Sequence, residues 1–240
     1  MNHLWVLALS AAAGLSTLAG VYLVKFYADW TLRNSLSLVS FAGGVLLTTG
    51  FLELLPEAAD KTGSWAGAAL AGVIVLFAME HFMAIHECQD VDCDIHTSGT
   101  VTAVGIGIHS LIDGFVIGAG FQAGLAIGVA AVAAVIVHEV PEGVFTYGLL
   151  IANKEPGRKA MAISWAVALA TPVGTAITYF ALNGQSPNVL GVMLAFAAGT
   201  FIYVGAADLL PQLHRRPNYF ALSVMLAGMA FIIGLRYFFG

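Results

Sequence analysis

GLAIGVAAVAAVIVHEVPEGVFTYGLLI, residues 124–151, decides the fold. A helix that crosses a bilayer needs about 20 mostly apolar residues, and this run exceeds that without a single Lys or Arg. Its only titratable side chains between Gly124 and Val144 are His138, Glu139 and Glu142. The apolar residues are continuous rather than alternating, which excludes a β-barrel strand.

Working outward, seven more runs of the same kind fill the chain, and the eight spans cover roughly 4–24, 34–55, 64–85, 98–120, 124–151, 159–182, 188–211 and 217–239. The connections are short, so residues 1–240 read as one transmembrane domain with no room for a soluble one. The chain is 59% hydrophobic and 10% charged, with a mean hydropathy of +0.88, against about 25% charged for soluble domains. That balance excludes a soluble fold and a disordered chain. Nine Lys and Arg against fourteen Asp and Glu exclude a nucleic-acid binder. Span 1 carries the small residues Ala11, Ala12 and Ala13, but no cation precedes it, so it reads as a span rather than a secretory signal.

Cations retained on the cytosolic side set orientation. Lys25 and Arg33 follow span 1, Lys154, Arg158 and Lys159 follow span 5, and Arg215 and Arg216 follow span 7. Lys61 and Arg236 fall on the other face. Eight spans with both termini extracytoplasmic follow, in a multi-pass protein of the cell (plasma or inner) membrane. Cys88 and Cys93 then lie in the reducing cytosol, where a disulfide is not expected.

Two internal echoes relate the spans. FAGGVLLTTGFLELLP (41–56) in span 2 matches FAAGTFIYVGAADLLP (196–211) in span 7, with Glu53 opposite Asp208. His109-Ser110-Leu111-Ile112-Asp113-Gly114 in span 4 matches His138-Glu139-Val140-Pro141-Glu142-Gly143 in span 5. Each pair joins an even to an odd span, so the copies cross in opposite senses. This predicts an inverted repeat, spans 1–3 against 6–8 and span 4 against 5, a plan that places a transporter's substrate site near the midplane.

The acids at that midplane need a partner. A carboxylate at a bilayer centre costs about 2.5–3.5 kcal/mol on the insertion scale, and Asp113, Glu139 and Glu142 have no intramembrane Lys or Arg to offset it. His109 and Asp113 are i,i+4, as are His138 and Glu142, so each pair shares a helix face. Ser110 and Glu139 sit one position round and widen the faces. If spans 4 and 5 pack antiparallel, two imidazoles and two carboxylates converge, a set suited to Zn²⁺, Fe²⁺ or Mn²⁺ rather than to Mg²⁺ or Ca²⁺. Pro141 is expected to break span 5 at the site and free the Val137 carbonyl. Gly114, Gly118, Gly124 and Gly128 are expected to let helices approach closely. Polar glue between helices is the competing structural reading. It supplies only about 0.6 kcal/mol per bond, less than the insertion cost.

With HSLIDG in span 4, HEVPEG in span 5, ELLPE ending span 2 and DLLP ending span 7, the chain resembles the ZIP (Zrt-, Irt-like protein) family of divalent-metal transporters over nearly its whole length. The resemblance implies an all-α polytopic membrane protein with eight helices in a 3+2+3 arrangement, metal uptake toward the cytosol, and a homodimer. It implies that His109, Asp113, His138 and Glu142 hold the primary ion, and that Ser110, Asp113, Glu139 and Glu142 form a second position. The chain departs from the family pattern twice. Thr171-Pro172 stands where some members place Glu-Pro, and Gly44-Val45-Leu46 offers no Met, so one strong site and a weak second one are expected.

Glu53 and Asp208 are candidate entrance and exit acids. His86, Cys88, Cys93 and His96, in the cytosolic loop 86–97, are candidates for a metal-receiving loop, although Cys88-x₄-Cys93 is not a structural zinc spacing. Trp5, Trp30, Trp65 and Tyr237 suit interface anchors. The function expected is transport of Zn²⁺, or of Fe²⁺, Mn²⁺ or Cd²⁺, as cargo, with no enzyme activity, no cofactor and no partners beyond the ion, lipid and a second copy. An intramembrane zinc hydrolase competes, since HEVPE resembles HExxH, but Glu142 replaces the second His and the span 4 motif would be unexplained. A proton relay is a rival reading of the buried acids, and a proton-coupled solute carrier is a third reading of the chain, which would want an Arg or a polar pocket, neither of which is visible.

Overall fold

The computed structural model describes residues 3–83, 99–209 and 218–239. Its elements are α1 (His3–Thr48), a π-helical turn π1 (Thr49–Leu54), α2 (Leu55–Lys61), α3 (Trp65–Met83), α4 (Gly99–Ala123), α5 (Leu125–Ala152), α6 (Gly157–Ala181), α7 (Pro187–Tyr203), a second π-helical turn π2 (Val204–Leu209) and α8 (Tyr219–Phe239). Among the described residues there is no strand. Among those residues, six helical stretches are long and apolar enough to cross a membrane: His3–Lys61, Ala103–Ala123, Leu125–Ala152, Gly157–Ala181, Pro187–Ala207 and Tyr219–Phe238. Trp65–His81 is a shorter apolar helix. The protein is an all-α, multi-pass membrane protein. The loop 86–97, with His86, Cys88, Cys93 and His96, lies outside the described residues, as do Arg215 and Arg216.

The link expected at 25–33 between spans 1 and 2 is helical instead. Residues 25–33 contain neither Gly nor Pro, so nothing in them terminates a helix. The stretch His3–Lys61 is 59 residues, which at about 1.5 Å per residue would extend about 90 Å if straight. It departs from helical geometry at Tyr27 (φ −136°, ψ 44°), which divides α1 into an N-terminal and a C-terminal limb. Pro141 also differs from expectation, because α5 runs unbroken through it. A proline already has near-helical φ, and spans tolerate the one lost bond when neighbours compensate.

The two π turns fall at equivalent places in the repeat, since Thr49–Leu54 aligns with Val204–Leu209. π1 ends two residues before Pro56, whose missing N–H deprives the Leu52 carbonyl of its α-helical donor. Arg236 of α8 donates to that carbonyl instead, at 2.7 Å.

Residue contacts give the directions of neighbouring helices. The N-terminal limb of α1 runs parallel to α5 (Thr17 on Glu139, Gly20 on Val140) and antiparallel to α6 (His3 on Tyr179, Gly14 on Ala168). The C-terminal limb with α2 runs antiparallel to α7 (Leu47 on Gly205, Gly50 on Ala198, Thr62 on Asn188). α4 lies parallel to α6 (Gly114 on Thr171, Gly118 on Thr175) and antiparallel to α5 (Asp113 on His138, Gly120 on Gly128). α3 lies parallel to α7 (Gly72 on Phe196, Glu80 on Tyr203). Gly124 is the exception among the expected close-approach glycines: it meets no neighbour and is the single residue joining α4 to α5.

Outward faces are apolar. Leu169, Val173, Ile177 and Phe180 form an exposed stripe on α6, and Leu70, Ile74 and Phe77 another on α3. Trp5, Trp30, Trp65 and Tyr237 are exposed, as interface anchors need to be. The interior is packed through small residues, the usual membrane solution where lipid gives helices no hydrophobic reason to associate.

Candidate metal centre

The antiparallel crossing of α4 and α5 superimposes their two i,i+4 pairs. One ligand atom from each of His109, Asp113, His138 and Glu142 lies within 4.8 Å of the others. His138 Nε2 is 3.1 Å from Asp113 Oδ2, and His109 Nε2 is 3.4 Å from the same oxygen and 3.8 Å from Glu142 Oε2. Tetrahedral zinc, with bonds of about 2.0–2.2 Å, separates its donors by about 3.4 Å, so the four atoms need only small movements to share one ion. Glu142 Oε2 is buried with no hydrogen-bond partner, which leaves it free toward the centre. Among the described residues, the ion-pair partners of Asp113 and Glu142 are the two histidines.

Further contacts orient the donors. Paired positions differ here: Ser110 and Glu139 align in the repeat but do different things. Ser110 Oγ donates to Glu142 Oε1 at 2.5 Å and lies 3.1 Å from the Ile106 carbonyl. His138 Nδ1 lies 3.0 Å from the Ala134 carbonyl, and an N–H there leaves Nε2 as the lone-pair nitrogen facing the cluster. The buried ring of Phe201 meets His138 edge-on at 5.9 Å and covers its apolar side.

Glu139 is wholly buried and stands outside the group of four donors. Thr171 Oγ1 donates to its Oε1 at 2.6 Å, and Thr17 Oγ1 donates to its Oε2. Thr171 is therefore in contact with an acid of the site motif. Sequence reasoning missed Thr17 and Phe201. A signal for Thr17 was present: Leu15-Ser16-Thr17-Leu18-Ala19-Gly20 matches Leu169-Ala170-Thr171-Pro172-Val173-Gly174 in the repeat partner of span 1.

Glu53 sits near the end of π1 and is 5% exposed. Its Oε1 has no hydrogen-bond partner and lies 3.8 Å from Arg236 Nη1, and Thr49 Oγ1 one turn earlier is likewise buried without a partner. Asp208 occupies the matching place in π2; only its backbone is described.

Fold and geometry together define a polytopic membrane protein with a buried cluster of mixed nitrogen and oxygen donors. A family model described as ZIP Zinc transporter matches residues 86–236. The chain belongs to the ZIP zinc transporter family. It is 28% identical over 260 residues to Zinc transporter ZupT of Corynebacterium efficiens, covering 95% of each chain. It is 32% identical over 115 residues to Zinc transporter zipt-7.2 of Caenorhabditis elegans, covering 47% of this chain and 25% of the relative. With Zinc transporter SLC39A7 of Mus musculus it shares 30% over 157 residues, 61% of this chain and 33% of the relative. The chain thus spans a quarter to a third of the animal relatives and nearly all of the bacterial one.

Proposed function

We propose that this protein carries Zn²⁺, and with it Fe²⁺, Mn²⁺ or Cd²⁺, across the cell membrane toward the cytosol, and that the ion binds His109, Asp113, His138 and Glu142. The observation that carries the reading is the convergence of those four donors on one buried point. Two neutral imidazoles and two carboxylates neutralise a divalent ion and replace its water shell, which is what an ion needs at a membrane midplane. Family membership and the names of the bacterial and animal relatives support zinc as the cargo.

Eight crossings in a 3+2+3 arrangement, both ends extracytoplasmic, accompany this reading. The bend at Tyr27 supports counting α1 as two crossings. The antiparallel contacts of α1 with α6, and of its second limb with α7, support the inverted repeat. Movement of one repeat unit against the other would expose the cluster first outside and then inside, with no hydrolytic step. Radiometal uptake into proteoliposomes tests the reading. Zinc accumulation above that of protein-free vesicles is expected, with Mg²⁺ excluded; metal-dependent peptide cleavage without uptake would favour the hydrolase.

Glu53 belongs to the outer entrance in this reading, with Asp208 its inner counterpart. Its free oxygen beside Arg236 can trade the guanidinium for an arriving ion. Glu53→Gln is expected to raise the zinc KM about threefold or more at low ionic strength while the maximal rate holds. An unchanged KM removes Glu53 from the route.

A further inference from the structure

Glu139 is the one acid of the two motifs that stands outside the four-donor cluster, and its surroundings repeat. Gly20 of α1 packs on the Val140 backbone of α5, and Gly174 of α6 packs on the Leu111 backbone of α4. The Thr17 carbonyl packs on Gly143, and the Thr171 carbonyl packs on Gly114. In the alignment of HSLIDG with HEVPEG, Val140 answers Leu111 and Gly143 answers Gly114; in that of span 1 with span 6, Thr17 answers Thr171 and Gly20 answers Gly174. The α1–α5 and α6–α4 contacts are therefore two copies of one crossing. The acid breaks the symmetry, because Ser110 stands at the position matching Glu139 and turns to Glu142. Both threonines thus meet on one carboxylate, one hydroxyl per oxygen.

We propose that Glu139 is a positioning residue, tied by Thr17 and Thr171 to both repeat units, and that the tie keeps its oxygens off the cargo so that the site seats one ion. A buried carboxylate needs hydrogen-bond partners, and hydroxyl bonds to an ionised acceptor are stronger than neutral ones. Here those partners come from α1 and α6, the two helices that flank the α4–α5 pair, so the acid couples the position of α5 to both. The four donors close on one another without it. The consequence for transport rests on the proposed function; the tie and the ion count do not.

The test uses the full chain, with zinc per chain and Kd measured in detergent and uptake kinetics measured in proteoliposomes. Glu139→Gln keeps an acceptor for one threonine and a donor for the other while removing the charge a ligand needs. It is expected to retain one zinc per chain, with a Kd raised less than about 100-fold, the upper end for a group that supports a ligand without touching the ion. The double variant Thr17→Val with Thr171→Val removes both hydroxyls at nearly constant shape. Its maximal uptake rate is expected to fall about fivefold or more at unchanged KM, and the matching double serine variant is expected to restore it. Loss of a zinc equivalent, or a Kd raised about 100-fold or more, in Glu139→Gln makes Glu139 a ligand and overturns the proposal. So does an unaltered rate in the double valine variant. If that variant does not fold, the Glu139→Gln binding result decides. If the wild type moves no zinc, the transport reading fails while the zinc count still decides the role of Glu139.

Discussion

His138→Ala is expected to weaken zinc binding by at least about 100-fold, or about 2.8 kcal/mol at 1.4 kcal/mol per tenfold, and to abolish uptake at micromolar zinc. His138 is 5% exposed, and its Nε2 is the donor nearest to Asp113, at 3.1 Å. Alanine removes one of four ligands and leaves Asp113 with His109 alone, at 3.4 Å. Ser110→Ala takes away only a hydrogen bond to the outer oxygen of Glu142, and losses of that kind cost about 10–100-fold in affinity. The expected order of Kd is therefore wild type, Ser110→Ala, His138→Ala. Isothermal titration with zinc in detergent checks it, and equal affinities for the three proteins would remove the cluster from the account.

The second large effect is on folding. Gly143→Ala is expected to cost about 4 kcal/mol or more, the range that marks a specific structural failure, and to abolish the monodisperse folded protein. A Cβ at Gly143 would overlap the carbonyl of Thr17 on α1, and the reciprocal contact of Gly20 with Val140 leaves no slack on the other side. Backbone cannot rotate away as a side chain can, so α1 and α5 would separate, taking Thr17 from Glu139. Gly148 lies on the same helix, and a Cβ there meets nothing within 4 Å. Gly148→Ala is therefore expected to be neutral or stabilising by up to about 1 kcal/mol through helix propensity. Thermal unfolding in detergent compares the two, and similar midpoints would contradict the close crossing.

The cluster was legible because its signal is periodic. His109 with Asp113, and His138 with Glu142, are separated by one helical turn, and spans 4 and 5 offer the acids no Lys or Arg. That puts four candidate donors on two facing stripes, and the folded chain brings them together. The role of Glu139 was not legible in the same way. An acid one position round a helix could face either neighbour, and only the packing of α1 and α6 decides that it meets Thr17 and Thr171. The break between spans 1 and 2 was placed from polar residues at 25–33, but polarity does not end a helix that lacks Gly and Pro, and the chain bends at Tyr27 instead. Pro141 was read as a break because its missing N–H is visible in sequence, whereas the neighbours that keep α5 continuous are not. Gly124 looked like another contact glycine and is a linker. The paired π turns follow the repeat that the sequence displays, yet nothing in 49–54 or 204–209 announces their wider winding.

Zinc entry into proteoliposomes, followed with a dye sealed inside, is the deciding measurement when wild type and His138→Ala are reconstituted at equal density. Saturable zinc entry is expected in the wild type, none above empty vesicles in the variant, and no Mg²⁺ entry in either. Equal zinc entry through both proteins would contradict the proposed site.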